Sequence, residues 1–299
     1  MALSPGRIRG PVPDGVRRAR AYVAQADAGY LNDARGDASV KIVVCVKTNP
    51  DLQMVRIKNR EPVLEAVPYK VGDLDKNAIE AAIQLRDAAG EGTIVALSVA
   101  EGNRKIKETL KEVLAMGADE AVVVADPALV SADPGAVALA IAKAVLQSGG
   151  CDLLLFGEGS TDNYSGQVGS RTAELLGLPQ IGYARTITIG GAGVQVERGM
   201  DDVTETLEAP LPAAVTVVSE INEPRIPSLM NIMKAGKKPV TEYTLADLGL
   251  DPAAVAPQRD ILSNLAEEQD RKRIMLQGKA AEQAEALANA LIKEGVLER

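Results

Sequence analysis

An open, mostly parallel α/β sheet with helices on both faces is the fold this sequence predicts, and three observations predict it. Short apolar runs such as VKIVVCV (Val40–Val46) and DLLLF (Asp152–Phe156) alternate with stretches of helical spacing, which gives successive βα units. The runs are continuous rather than alternating, as in strands buried on both faces. Apolar residues make up 46% of the 299 residues and aromatics only 2%, with no Trp and one Phe, so the core must be built from Val, Ile, Leu and Ala.

Taken in order, Met1–Ser39 reads as an N-terminal extension. It carries Pro5, Pro11 and Pro13, five arginines between Arg7 and Arg20, and a short candidate helix over Asp14–Tyr30. It has no apolar h-region, and Asp14, Asp27, Asp33 and Asp37 speak against an Arg-rich targeting peptide. A main domain is expected over residues 40–250. Its first strand is Val40–Val46, followed by an irregular, proline-bearing stretch, Lys47–Lys70, with a short strand or hairpin at Met54–Ile57. Helix Lys76–Ala89 has Asp73 or Asp75 where an N-cap would stand. Strand Thr93–Val99, helix Asn103–Met116, strand Ala121–Ala125, helix Asp133–Leu146, strand Asp152–Phe156 and helix Gln167–Leu176 complete the alternation. Beyond Pro179 the spacing predicts hairpins over residues 181–218, from strands Arg185–Ile189, Val194–Glu197, Thr204–Leu207 and Ala213–Val217, extending or capping the sheet edge. Residues 220–238 read as a loop entering a short basic helix with apolar tips at Leu229, Met230, Ile232 and Met233, a candidate partner-binding element. Residues 251–299 read as a C-terminal helical arm set off by Pro252 and Pro257.

The totals exclude several functions. The chain has no histidine, which removes Ser-His-Asp and Cys-His catalysis and His-ligated zinc. Its two cysteines, Cys45 and Cys151, form no CxxC pair and are expected to be buried thiols in a reducing, cytoplasmic compartment. A net charge of −8 without a basic stripe argues against nucleic acid, and no apolar run has membrane-spanning length. Any redox chemistry therefore needs a bound cofactor.

The stretch DLLLFGEGSTDNYSGQVG (Asp152–Gly169) is the candidate site. A strand ending in a Gly/Ser/Thr loop that feeds a helix presents backbone N–H groups and a positive helix end to a phosphate. Gly157 and Gly159 permit positive φ and close backbone approach; an ordinary βα turn would use them the same way. In such sheets ligands bind beyond the carboxyl ends of the strands, so Cys45–Asn49, Val99–Asn103 and Gly72–Asp75 converge there as well. Neither GxGxxG nor GxxxxGK[ST] occurs.

Val196–Lys238, VERGMDDVTETLEAPLPAAVTVVSEINEPRIPSLMNIMKAGKK, resembles the signature region of electron transfer flavoprotein beta subunits, with Asp202-Val203 where that family commonly has Gly-Gly. The resemblance implies an adenine nucleotide alpha hydrolase-like domain that pairs with an alpha subunit in a flavoprotein heterodimer. It puts nucleotide contacts at Cys45, Gly72, Asp73, Leu74, Asp75, Val99, Gly157, Glu158, Gly159, Ser160, Thr161, Asp162, Asn163, Tyr164, Ser165, Gly166, Gln167 and Val168. Within that set, Gly157 and Gly159 would let the backbone reach a pyrophosphate, Ser165 and the N–H groups of Gly166–Val168 would bind its oxygens, and Asp162 would orient neighbouring donors. Leu229, with Met230 beside it, falls where the family docks its redox partners.

GEGSTDNYSGQVG, with Asp75 ahead of the first helix, is similar to the electron-bifurcating Fix-type pattern. That subtype implies FAD at this site, hydride from NADH, one electron to a low-potential ferredoxin or flavodoxin and the other through the alpha-subunit FAD to a quinone oxidoreductase. It would make the chain part of an oxidoreductase, membrane-associated only through partner subunits. The alternatives are a housekeeping carrier with structural AMP and a non-redox nucleotide-binding sensor.

Overall fold

The computed structural model describes residues 39–100, 104–130, 132–191, 193–267 and 272–297; the expected N-terminal helix lies outside them. The chain divides into two units, one holding the described residues up to 56 and 63–262, the other residues 57–62 and those from 263 onward.

The first unit is built on a nine-stranded sheet. Its centre is β1 (Val40–Cys45), flanked by β6 (Gly92–Ala100) on one side and β8 (Leu153–Gly157) on the other, all parallel. Beyond β6 lie β7 (Glu120–Ala125) and β13 (Val240–Tyr243), and beyond β8 lie β12 (Ala213–Val217) and β9 (Gln180–Gly190), again parallel. Only β10 (Gly193–Gly199) and β11 (Thr204–Pro210) add antiparallel, at the far edge. Two small pairs stand apart, β2 (Thr48–Pro50) with β5 (Tyr69–Val71) and β3 (Arg56–Lys58) with β4 (Glu61–Val63).

Successive residues of β1 enter opposite cores. Ile42 and Val44 pack with α1 (Asp73–Ala89) and α2 (Arg104–Met116), whereas Val43 and Cys45 pack with α3 (Pro134–Gln147) and α4 (Val168–Leu176). Apolar residues facing both ways are what a parallel strand covered by two helical layers requires. The helices end as their sequences dictate: Asp133 caps α3 through the N–H groups of Gly135 (2.8 Å) and Ala136 (3.0 Å) with Pro134 in its first turn, while Gly90 and Gly177 take left-handed φ after α1 and α4.

Three expectations are corrected. Ala213–Val217 is no edge hairpin: it is fully buried and inserts between β9 and β8. β13 was not anticipated. Helix α1 starts at Asp73 with Gly72 as its N-cap, so neither Asp73 nor Asp75 caps it. Among the described residues no helix is long and apolar enough to cross a membrane.

In the second unit Arg60 Nε donates to Ala266 O (2.9 Å) and the Ala266 N–H to Arg60 O (2.7 Å). Among the described residues the arm is helical over a 3-10 turn at Pro252–Val255 and over α6 (Ala280–Lys293), which buries none of its residues; neither 261–267 nor 272–279 forms regular structure, against the expectation of helix throughout. AAEQAEALANALIK is the part of the arm richest in strong helix formers.

Candidate functional site

From β1 the chain moves outward through β6 and β7, then crosses back to β8 on the opposite side of β1. That reversal opens a crevice beyond the carboxyl ends of β1 and β8, the position at which open α/β sheets bind ligands. Of the residues predicted for the site, Cys45, Asp75, Val99, Gly157, Glu158, Gly159, Ser160, Asn163, Ser165, Gly166, Gln167 and Val168 line it. Gly72, Asp73, Leu74, Thr161, Asp162 and Tyr164 stand behind or beside it. Residues 101–103, from the predicted loop after β6, lie outside the described residues.

The phosphate-loop geometry differs in detail from the sequence expectation. Neither Gly157 nor Gly159 takes a left-handed φ; Tyr164 and Gly166 do. A Cβ at Gly157 would lie 2.8 Å from both Leu74 Cβ and an Asp75 carboxylate oxygen, so this glycine is required by the close approach of α1 to β8. A Cβ at Gly159 would meet the Tyr164 ring at 3.1 Å. Downstream, the first bond within α4 runs from the Arg171 N–H to Gln167 O (3.0 Å), so helix geometry leaves the N–H groups of residues 168–170 without an intrahelical acceptor. Gln167, at the cap position, makes no capping bond, and its side-chain oxygen is taken by Arg171. The α4 N-terminus therefore opens into the crevice uncapped, unlike that of α3.

Two charged groups organise the walls. Asp75, in the first turn of α1, accepts the Lys47 N–H (2.8 Å) and that of Gly157, tying together the ends of β1 and β8. Burial outweighs these bonds and pushes its pKa up to about 7. Lys47 is the cation among the lining residues, and its Nζ is held by both oxygens of Asp162 (2.7 and 2.8 Å). Burial would raise the Asp162 pKa, but bonds from Lys47 and Ser160 outweigh it and hold the carboxyl below its usual range. Burial likewise pushes the Cys45 thiol well above its ordinary value, so it is an inert wall residue. Thr161 Oγ1 is buried in the loop with no partner, as is the whole side-chain amide of Asn49 behind Gly72.

Val46 and Lys47, within the predicted Cys45–Asn49 loop, Phe156 and Gly169, within the quoted stretch, and Leu97, Ala132, Pro134, Val137 and Ile141, which the sequence did not single out, complete the lining. Most are apolar and read as ordinary core. Gly169 had a visible signal in its place within the quoted loop; it lets α4 approach Phe156 and Thr216, whose atoms a Cβ there would meet at 3.3 and 2.9 Å.

A second constellation stands further along α1, at Asn77 and Glu80. Arg225 grips the buried Glu80 carboxylate through Nε (2.7 Å) and Nη2 (2.9 Å), while Asn77 and Asn222 exchange bonds of 2.8 and 3.0 Å with each other's backbone oxygens. This clamp fixes the segment leading to α5 (Leu229–Ala235), whose tips Leu229 (75% exposed) and Met233 (72%) point to solvent. Lys238, after α5, caps α2 by donating to Leu114 O (2.9 Å) and Ala118 O (2.5 Å). The electron transfer flavoprotein domain family model matches residues 63–248.

Proposed function

The chain belongs to the electron transfer flavoprotein domain family, and from that premise we propose that it is a beta-type subunit of the electron-bifurcating kind, gripping FAD by its phosphates in the crevice. The observation that carries this reading is the uncapped α4 N-terminus at the strand-order reversal, with Lys47 beside it. Oriented N–H groups, a helix dipole and a movable ammonium are a suitable donor set for a pyrophosphate, and the unpartnered Thr161 hydroxyl fits a loop that completes its bonds on a ligand.

In this reading the N–H groups of residues 168–170 and the Ser165 hydroxyl bind phosphate oxygens. Lys47 turns from Asp162 to the phosphates, and Asp162 keeps it within reach. Leu97, Val99, Pro134, Val137 and Ile141 form the apolar wall for the adenosine portion and exclude water from it. Asp75 holds the two strand ends at a fixed spacing. When bound, FAD supplies the redox chemistry that side chains lack: acceptance of a hydride from NADH, with one electron passed to a low-potential ferredoxin or flavodoxin and one, through the alpha-subunit FAD, to a quinone-linked acceptor. No side chain need transfer a proton, consistent with a chain without histidine. Leu229 and Met230 at the exposed tip of α5 serve as the docking point for a redox partner, and α6 as an arm for the alpha subunit.

A second reading, structural AMP with the working flavin on the alpha subunit, is favoured by size. The enclosed crevice, about 170 Å³, is smaller than the ~300–1,000 Å³ usual for sites that bury a whole drug-sized ligand, so a dinucleotide must extend past its rim. Acid release of nucleotides from the chain purified with its alpha partner decides between them. Two FAD per heterodimer are expected; one FAD with one AMP would establish the carrier instead, and nucleotide without any flavin a sensor.

A further inference from the structure

The chain is nearly devoid of aromatic residues, yet two of them stand exposed beside the crevice. Among the described residues Tyr164 (56% exposed) and Tyr183 (46%) are the aromatic members of the exposed apolar set. Both are also held at left-handed φ, 46° and 63°, a conformation that bulky side chains rarely adopt and that persists only where the surroundings impose it.

The causes differ. Tyr164 sits in the loop between β8 and α4, its N–H bonded to Ser160 O (2.9 Å) and its ring laid over Gly159. Its hydroxyl is bonded to the Glu158 carboxylate. Tyr183 sits in β9 where the pairing with β12 shifts register between Val215 and Val217. Its N–H goes to Thr216 Oγ1 (3.2 Å), and the bulge turns the residue out of the strand. β12 brings the two together: Val217 pairs with Ala184, next to Tyr183, on one side and with Gly157, at the start of the Tyr164 loop, on the other. Gly159 and Glu158, against which Tyr164 rests, are themselves lining residues, so the pair continues the crevice rim toward β9.

We propose that Tyr164 and Tyr183 form a shelf that stacks the planar heteroaromatic ring at the far end of a dinucleotide whose phosphates occupy the crevice. The proposal rests on the nucleotide reading above and deepens it, because such a shelf selects a dinucleotide over a mononucleotide. AMP ends at the phosphates and leaves both rings uncovered; the isoalloxazine of FAD, carried past the pyrophosphate, reaches the rim and covers them. Aromatic stacking of this kind changes affinity by roughly tenfold per ring removed.

The test is equilibrium binding of FAD and, separately, of AMP to the full chain and to Tyr164→Leu, Tyr183→Leu and the two Tyr→Phe variants, with flavin fluorescence recorded. Each Leu variant is expected to weaken FAD about tenfold and AMP by less than twofold. The Phe variants should keep FAD affinity while losing tyrosine quenching, so that bound flavin becomes brighter. Equal losses for FAD and AMP would assign the tyrosines a structural role, and unchanged FAD affinity in Tyr183→Leu would remove the shelf; either overturns the proposal while leaving the nucleotide site intact. Failure of the unaltered chain to bind either nucleotide overturns the underlying reading and the shelf with it.

Discussion

Gly157→Val is expected to abolish nucleotide retention and to destabilise the fold by about 1–3 kcal/mol, the usual cost of overpacking a filled interior. The atoms a new Cβ would meet include the Leu74 carbonyl carbon at 3.0 Å as well as Leu74 Cβ and an Asp75 oxygen, so the first turn of α1 itself must shift. That shift breaks the Asp75 bonds to Lys47 and Gly157, which hold the ends of β1 and β8 together. Gly159→Val should be milder, because the obstacle there is the exposed Tyr164 side chain, which can swing away. Denaturant unfolding together with equilibrium dialysis against FAD checks both. Undiminished FAD binding by Gly157→Val would show that the spacing of these strand ends does not set the site.

The second large effect is a pH dependence centred on Asp75. Its folded pKa of about 7 lies above the ~3.9 of an unfolded aspartate, so the folded chain binds the proton more tightly. The contribution to stability is full below about pH 4 and is lost as pH rises through about 7, by an amount on the order of 4 kcal/mol. Asp75→Asn removes this ionisation, so the difference between the two unfolding curves should change steeply between about pH 4 and 7 and level off above. Phosphate ligands should also be held more tightly at pH 6 than at pH 8, since the neutral carboxyl no longer repels them. Parallel unfolding curves for the two proteins across that range would mean that Asp75 stays ionised in the fold.

The parts of this architecture legible from sequence are those encoded locally. Val40–Val46 and Asp152–Phe156 announce strands buried on both faces, and the loop from Gly157 to Gly166 announces a turn rich in donors, because composition over a few residues suffices for each. Position within the sheet is not local. Ala213–Val217 follows two hairpin strands closely enough to read as a third, although its run of AAVTV, apolar but for Thr216, suits the central place it holds between β9 and β8. Val240–Tyr243 is four residues long, mostly exposed, and preceded by Lys-Lys-Pro, so nothing in VTEY distinguishes it from loop.

The crevice shows the same division. Its loop was visible, whereas its α3 wall was not, because Pro134, Val137 and Ile141 resemble any helix packed on a sheet. Lys47 lies in the loop the sequence points to, but its pairing with Asp162, 115 residues away along the chain, shows only in the fold. The glycine at 157 stands out in the sequence for the freedom it gives the backbone, whereas the close approach of α1 that also demands it shows only in the fold. Asn77 and Glu80 looked like ordinary helical polar residues, and their role in anchoring the α5 segment depends on Asn222 and Arg225, each 145 residues further on.

The central claim, that a nucleotide's phosphates rest on the open N-terminus of α4, is tested most directly by a crystal structure of the chain with its alpha partner and FAD. The expected result is phosphate density over the backbone nitrogens of Val168, Gly169 and Ser170, with Lys47 Nζ released from Asp162. Phosphates bound elsewhere, or Lys47 still paired to Asp162 beside a nucleotide-free crevice, would contradict it.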